Sequence, residues 1–352
     1  MKTLFVSSGL NSVHERMAEY IGADKHHIKE RVTKEQNWAQ KLYSWIASSD
    51  IPTGYDITLC ESNYQYPALK KNMLMLNSKL INMNCGAMAY NLTEHNLGIL
   101  EERALKTLMS QVDGYLVLGS YGAELLSRLN TNKPFRRVYP FVTDQRYAEL
   151  AKIRPNLESK TITCIARDYF RYKGLDILLN SFKQCLESDK DLKLNIISQK
   201  LTKKDILPYA EGIPEKNLSI HENPKDITKI LEQTSLYVQP SRGDTFPVAS
   251  IEAMASGIPT IVSDHTGTKE IVKRVEPEVD DGERFIFTLN PKTAVQGLNN
   301  LTSKIRDYFD TPLSERQKLS GYFREQGVVY TEEDTLELFK TEYLSLVEEV
   351  ME

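Results

Sequence analysis

Residues 240–260 read "PSRGDTFPVASIEAMASGIPT". The run entering this stretch, "SLYVQP" (235–240), is short, apolar and rich in strand formers. The run leaving it, "PTIVSD" (259–264), has the same character. Between them the spacing predicts a helix. Pro247 is suited to its first position and Gly257 to a left-handed close. Strand, helix and strand in succession are the unit from which parallel sheets are built. Two acids, Asp244 and Glu252, stand in this otherwise small and apolar run. Asp244 falls between the strand end and the helix start, and Glu252 about a turn and a half inside the helix. Spacing alone leaves two readings open: a capped, solvated helix, or a pair of carboxylates facing a ligand.

The same alternation extends through the chain. In the first half, "TLFVSS" (3–8), "DITLC" (56–60), "KLINMN" (79–84), "GYLVLGS" (114–120) and "RRVYPF" (136–141) read as strands. In the second half, "TITCIA" (161–166), "LKLNIIS" (192–198), "LSIHE" (218–222) and "RFIFT" (284–288) join the two named above. Helices fall between most of them, including one near Asn11, one over 35–46 carrying Trp38, Leu42, Trp45 and Ile46 at helical spacing, and one over about 97–112. The fold class expected is α/β, with two doubly wound, Rossmann-like domains facing a cleft. The polar segment 144–160 separates the two series, giving residues 1–150 and 151–330. The last stretch, 331–352, is an amphipathic helix with acids in its first turn.

Composition narrows the function. The chain of 352 residues is 41% hydrophobic and 26% charged, which suits two globular domains and excludes a disordered or collagen-like class. A net charge of −4 argues against a general nucleic-acid binder. Residues 1–150 carry 17 basic and 15 acidic side chains and the remainder 27 and 33, so the first part tolerates peripheral contact with an anionic membrane surface. Cys60, Cys85, Cys164 and Cys185 are widely spaced, with no zinc or redox motif, and point to a cytoplasmic setting. No apolar run approaches the roughly 20 residues of a membrane span. His26 and His27 lie in a polar, basic segment and read as solvated, and the histidines form no catalytic set.

Ligands of doubly wound sheets bind beyond the carboxyl ends of strands, and other strand ends carry chemistry. "CIARDYFRYKGLDILLNSF" (164–182) places Arg167 at a strand end and Lys173 before Gly174 at a helix start, two cations suited to a diphosphate. Arg171 in that loop reads as solvated. "VSSGLNSVHERMA" (6–18) puts Gly9 in a strand-to-helix turn, where backbone amides can approach a phosphate or sugar. Glu61 and Asn63 follow the strand "DITLC" and could meet an acceptor, and Asn84, at the end of "KLINMN", is a further acceptor-side candidate. There is no GxGxxG, no GxxxxGK[ST] and no metal motif.

Together, "GDTFPVASIEAMASGIP", "IARDYFRYKGLDILLNSF" and "IVSDHTGTKEIV" (261–272), with Glu270, resemble the retaining glycosyltransferases of the GT-B fold, family four. The resemblance is strong over 161–272 and loose over 1–110. It implies transfer of a sugar from a nucleoside diphosphate sugar to a hydroxyl of a glycan, a lipid-linked glycan or a small glycoside. It implies no cofactor and no metal, and a carboxy-terminal helix that crosses back to the first domain. Arg167 and Lys173 would hold the diphosphate and Glu252 the ribose hydroxyls. Asp244 would hold the transferred sugar, with Thr245, Phe246 and Val248 beside it, and Gly9 would approach the phosphate and acceptor side. Asp244 stands where many members have Glu, in a "DxFP" form that resembles a subgroup. Asn84 and Cys85 fall where the family often has His. That departure leaves a second reading, a nucleotide-sugar-binding subunit without catalysis, and a third, an epimerase of the same fold.

Overall fold

The computed structural model describes residues 1–7, 12–28, 51–61, 78–83, 86–94, 97–167, 170–275, 282–289 and 294–352. The helix expected over 35–46, Gly9, Asn63, Asn84 and Cys85 lie outside the described residues. The chain forms two compact units, Met1–Phe141 with Glu332–Glu352, and Val142–Thr331. The division falls at Phe141, ahead of the position read from the polar segment, because the helix Asp144–Leu150 packs on the helix Val248–Ala255 of the second unit.

In the first unit six strands form one sheet: β1 (Thr3–Ser7), β2 (Asp24–His27), β3 (Ile57–Cys60), β4 (Lys79–Met83), β5 (Gly114–Leu118) and β6 (Phe135–Val138). Their order is β2-β1-β3-β4-β5-β6, all parallel. β1, β3 and β5 are buried along their whole length, as strands covered on both faces must be. β2 adds a strand that no apolar run predicts, in a segment that is mostly exposed, as read from its polar residues. His26 and His27 form part of an edge strand, and the Ser7 hydroxyl meets His27 Nδ1 at 2.6 Å. Its mostly exposed residues carry no apolar alternation, so only pairing with β1 reveals it.

The carboxy-terminal helix Glu332–Met351 belongs to this unit. It buries Leu336, Phe339, Tyr343, Leu346, Val347 and Val350, and each such side chain contributes about 1.5–3 kcal/mol when fully covered. Polar ties also hold it: Arg16 Nε to Glu332 Oε1 at 2.9 Å, the buried Thr3 Oγ1 to Tyr343 Oη at 2.6 Å, and Arg136 to Glu349 at 2.8 Å. A helix crossing back to the first domain is thus what the fold contains.

The second unit holds β7 (Thr161–Ile165), β8 (Lys193–Ser198), β9 (Leu218–Glu222), β10 (Leu236–Gln239), β11 (Thr260–Ser263) and β12 (Ile286–Phe287). The order is β9-β8-β7-β10-β11-β12, again all parallel. The chain winds outward from β7 to β9, returns, and winds outward the other way from β10. β7 and β10 therefore adjoin where the winding direction reverses. Such a switch point is where doubly wound sheets hold ligands. The strand read at 284–288 shortens to two residues, because a 3₁₀ turn occupies Glu283–Phe285.

Arg324, on the helix Leu313–Gly327, fixes the elements behind this point. Its guanidinium donates to the carbonyls of Ala255 and Ser256 at 3.1 and 2.6 Å, ending the helix that carries Glu252. It also donates to Ile153 at 2.9 Å, just beyond the helix Asp144–Leu150. Burial, with Arg154 nearby, lowers its pKa, yet it satisfies carbonyls that helix ends leave without partners. Among the described residues no helix is long and apolar enough to cross a membrane. Replacing Arg324 with Ala should lower the unfolding free energy by about 1–3 kcal/mol, read as a lower denaturant midpoint for the full chain. An unchanged midpoint would show that water replaces the guanidinium at no cost.

Candidate functional site

Two loops meet at the switch point. The first leaves β7, passes Arg167, and reaches Gly174 before the helix Leu175–Ser188. The second leaves β10 as Pro240–Pro247 and enters the helix Val248–Ala255. Gly174 has φ +70°, and a Cβ there would lie 1.9 Å from the Pro240 carbonyl oxygen. Only glycine permits that approach. The Arg242 amide donates to the Tyr172 carbonyl at 2.8 Å, and the Tyr172 hydroxyl donates to the Gly243 carbonyl. Arg242 grips Asp176 with both terminal nitrogens, at 2.7 and 2.9 Å, a bidentate pair well suited to fixing orientation. Arg171, read as merely solvated, has an exposed side chain, and its carbonyl accepts from Arg242.

The interlocked loops bring Lys173 and Asp244 together. Lys173 Nζ meets Asp244 Oδ2 at 2.5 Å, with the side chains 19% and 14% exposed. A pair at this depth gains more from its Coulomb attraction than one in open water. The other side of Asp244 is held by a third segment. Asp244 pairs with Thr266 as an isolated parallel bridge, and the Gly267 amide donates to the Asp244 carbonyl at 3.0 Å. A Cβ on Gly267 would lie 1.6 Å from the Thr245 carbonyl oxygen. Beneath the loop runs a buried polar chain. The Tyr237 hydroxyl donates to Gln239 Oε1 at 2.7 Å, and Gln239 Nε2 donates to Ser241 Oγ at 2.8 Å. Burial pushes the Tyr237 phenol well above its ordinary pKa and keeps it a neutral donor.

The helix begins at Val248 rather than at Pro247. Pro247 keeps an extended backbone, ψ 109°, and stands at the cap, so its missing amide falls where the helix needs none. The amides of Val248 and Ala249 open the helix without intrahelical acceptors, a setting that favours anions. Gly257 closes it at φ +77°, with Ile258 donating to Ala253 and Gly257 to Met254, as the spacing predicts. The Thr245 and Phe246 side chains are buried, and Phe246 packs edge-on against Tyr330 at 5.4 Å. Tyr330 also donates to Glu270 Oε1 at 2.9 Å.

Glu252 is not a solvated helix acid. Its Oε1 accepts from Arg146 Nε at 2.7 Å, and the side chains are 20% and 25% exposed. Arg146 lies in the polar segment that reads as a linker, and no motif signals it. Burial lowers its pKa, and the Glu252 and Glu149 carboxylates more than offset this, so the net direction is upward. Its far side borders a cavity of about 590 Å³, lined also by Lys152, Lys225, Asp226 and Thr228.

Arg167 is exposed and, among the described residues, its side chain has no hydrogen bond or ion pair. His265 Nδ1 meets its neighbour Asp264 at 2.6 Å. Glu61, in the first unit, is paired with His14 Nδ1 at 2.8 Å, both largely buried. No sequence pattern joins His14 to Glu61, because the two meet only when β1 and β3 pair. Among the described residues no three histidines, cysteines or acids converge as a metal site.

Against known proteins, residues 159–303 match the family model described as "Glycosyl transferases group 1". A stretch of 122 residues is 29% identical to an uncharacterized glycosyltransferase of Haemophilus influenzae, covering 34% of each chain. The aligned stretch thus spans about a third of that relative's length. Two solved structures match nearly end to end. A sucrose-phosphate synthase from Thermosynechococcus elongatus aligns with a TM-score of 0.70 at 13% identity, covering 98% of this chain and 99% of its own. Anabaena HepE in complex with UDP and glucose aligns with a TM-score of 0.68 at 12% identity, with the same coverage.

Gly174→Ala should destabilise the chain by about 2 kcal/mol or more, from the left-handed backbone and the carbonyl contact together. Gly212, at φ +85° with only the Lys183 side chain near, at 3.5 Å, isolates the backbone part. Equal losses in the two variants, by denaturant unfolding, would show that the Pro240 contact relaxes away. Within the second unit, whose switch point holds Lys173, Asp244 and Glu252, residues 159–303 match the glycosyl transferases group 1 model, and the fold of the chain is that of the GT-B structures it matches.

Proposed function

We propose that this chain is a retaining glycosyltransferase of family four, taking a nucleoside diphosphate sugar as donor and a glycan, lipid-linked glycan or small glycoside as acceptor. The observation that carries this reading is the Lys173–Asp244 contact at the switch point, with the half-buried Glu252 in the second turn of the helix that follows Asp244. The cation and the two acids match three chemically different parts of one donor. The match of residues 159–303 to the transferase family model supports it, and the UDP in the Anabaena HepE structure makes a uridine nucleotide the first donor to try.

In this reading Lys173 and Arg167 take the diphosphate. Glu252 accepts from the ribose hydroxyls, since an ionised carboxylate is an acceptor-only group. Release of Lys173 to the phosphate leaves Asp244 to accept from hydroxyls of the transferred sugar, flanked by Thr245, Phe246 and Val248. The C1–oxygen bond to the phosphate breaks as the acceptor oxygen bonds C1 on the same face, and the acceptor proton passes to the departing phosphate oxygen. Charge grows on that phosphate in the transition state, so Lys173, Arg167 and the helix amides stabilise it more than the ground state. They supply the positive charge that a metal ion would otherwise provide, and no metal or cofactor is part of the proposal. Gly9, Glu61 and Asn84 are assigned to the acceptor side. The buried Cys60, Cys164 and Cys185, widely spaced in the chain, suit a reducing, cytoplasmic setting.

Release of free nucleoside diphosphate from a panel of nucleotide sugars, with and without acceptors, tests the assignment. Lys173→Ala and Glu252→Ala should each lower turnover by about a hundredfold or more in a folded protein. Near wild-type rates in both would sink the site assignment. Donor binding without turnover against every acceptor would favour the binding-subunit reading.

A further inference from the structure

Arg146 lies before the segment that matches the transferase family model, and 106 residues separate it from the acid it holds. Its own helix is anchored at three places. The Arg146 amide donates to the Thr143 hydroxyl at 3.3 Å. The adjacent Tyr147 hydroxyl reaches the carbonyls of Gly327 and Tyr330 at 3.0 and 3.1 Å. Arg324 ties the chain just past this helix to the end of the helix that carries Glu252. The guanidinium is also braced on its other side, where a terminal nitrogen donates to Glu149 Oε2 at 3.1 Å. Arg146 therefore presents Nε to Glu252 from a fixed frame rather than from a free side chain.

The second carboxylate oxygen of Glu252, Oε2, makes no hydrogen bond to any described residue. A carboxylate has about four lone-pair sites. Arg146 takes one on Oε1, leaving the rest for other donors. We propose that Arg146 is a positioning residue that sets the plane of the Glu252 carboxylate for two vicinal ribose hydroxyls, and so governs discrimination between ribonucleotides and deoxyribonucleotides. The inference rests on the reading of Glu252 as the ribose acceptor. Without the guanidinium, water from the adjoining cavity reaches the carboxylate, and Glu252 turns freely about its side-chain bonds. Preorganisation of this kind is lost without any change in the groups that touch the ligand.

Calorimetric titration of the full chain with uridine diphosphate and its 2′-deoxy counterpart, and with the guanosine pair, tests the inference. The wild type should bind the ribo form of its preferred nucleotide about tenfold or more tightly than the deoxy form, the scale of one charge-assisted hydrogen bond. Glu252→Ala should bring that ratio close to one. Arg146→Gln, similar in size and neutral, should reduce the ratio by about fivefold or more while leaving affinity for the deoxy form within about twofold. Arg146→Lys, whose ammonium reaches the same carboxylate, should restore most of the ratio. If Arg146→Gln keeps the wild-type ratio while Glu252→Ala abolishes it, Arg146 does not position Glu252. Equal weakening of both nucleotides in Arg146→Gln would make Arg146 a general structural residue and overturn the proposal. If the wild type fails to discriminate, or Glu252→Ala leaves its ratio intact, the ribose role of Glu252 itself falls.

Discussion

Two backbone approaches that admit no side chain, at Gly174 and Gly267, hold the site together. The first seats the loop after β7 against the Pro240 carbonyl, and the second seats the loop after β11 against the Thr245 carbonyl. Between them the segment from Pro240 to Phe246 is gripped from both sides, and Asp244 has one place to be. Lys173 is set by the residue that follows it, because the left-handed turn at Gly174 aims the chain into the helix Leu175–Ser188. The ion pair is a consequence of this fit. Were the glycines to carry even a methyl group, the loops would separate and Lys173 and Asp244 would part.

A second layer of arginines keeps this arrangement in register. Arg242 joins the two loops through Asp176, Arg324 joins the helices behind them, and Arg146 reaches Glu252. Each has several donors in a rigid fork and serves carbonyls or carboxylates from more than one element. The Arg146–Glu252 and Lys173–Asp244 pairs lie at intermediate depth, where desolvation is incomplete and Coulomb attraction is still substantial. In the proposed reading Lys173 exchanges Asp244 for the diphosphate, whereas Arg146 keeps its hold on Glu252.

The first unit follows the same architectural rule with different contents. At the carboxyl ends of its strands stand a His14–Glu61 pair and a Ser7–His27 contact, rather than a lysine and two acids. The helix Glu332–Met351 completes its outer face, so the two ends of the chain are parts of one core.

Continuous apolar runs and their spacing determined the strands, their parallel character and the doubly wound class, because burial on both faces is written in consecutive residues. Pro247 and Gly257 bounded the site helix to within a residue for the same local reason, since each has a backbone preference that no neighbour alters. Asp244, Glu252 and Lys173 were legible as candidates from the strand-to-helix turns and helix starts that carry them. Their partners were not. Arg146 looked like a linker residue, Arg242 like part of a loop, His14 like a helix residue, and β2 like a solvated segment. Each gained its meaning only from a neighbour distant in sequence, as with Arg146 and Glu252, 106 residues apart. The tertiary structure also decided which glycines mattered. Gly174 and Gly257 share a left-handed backbone, but the carbonyl against Gly174 comes from a different strand end, and no local pattern carries that proximity.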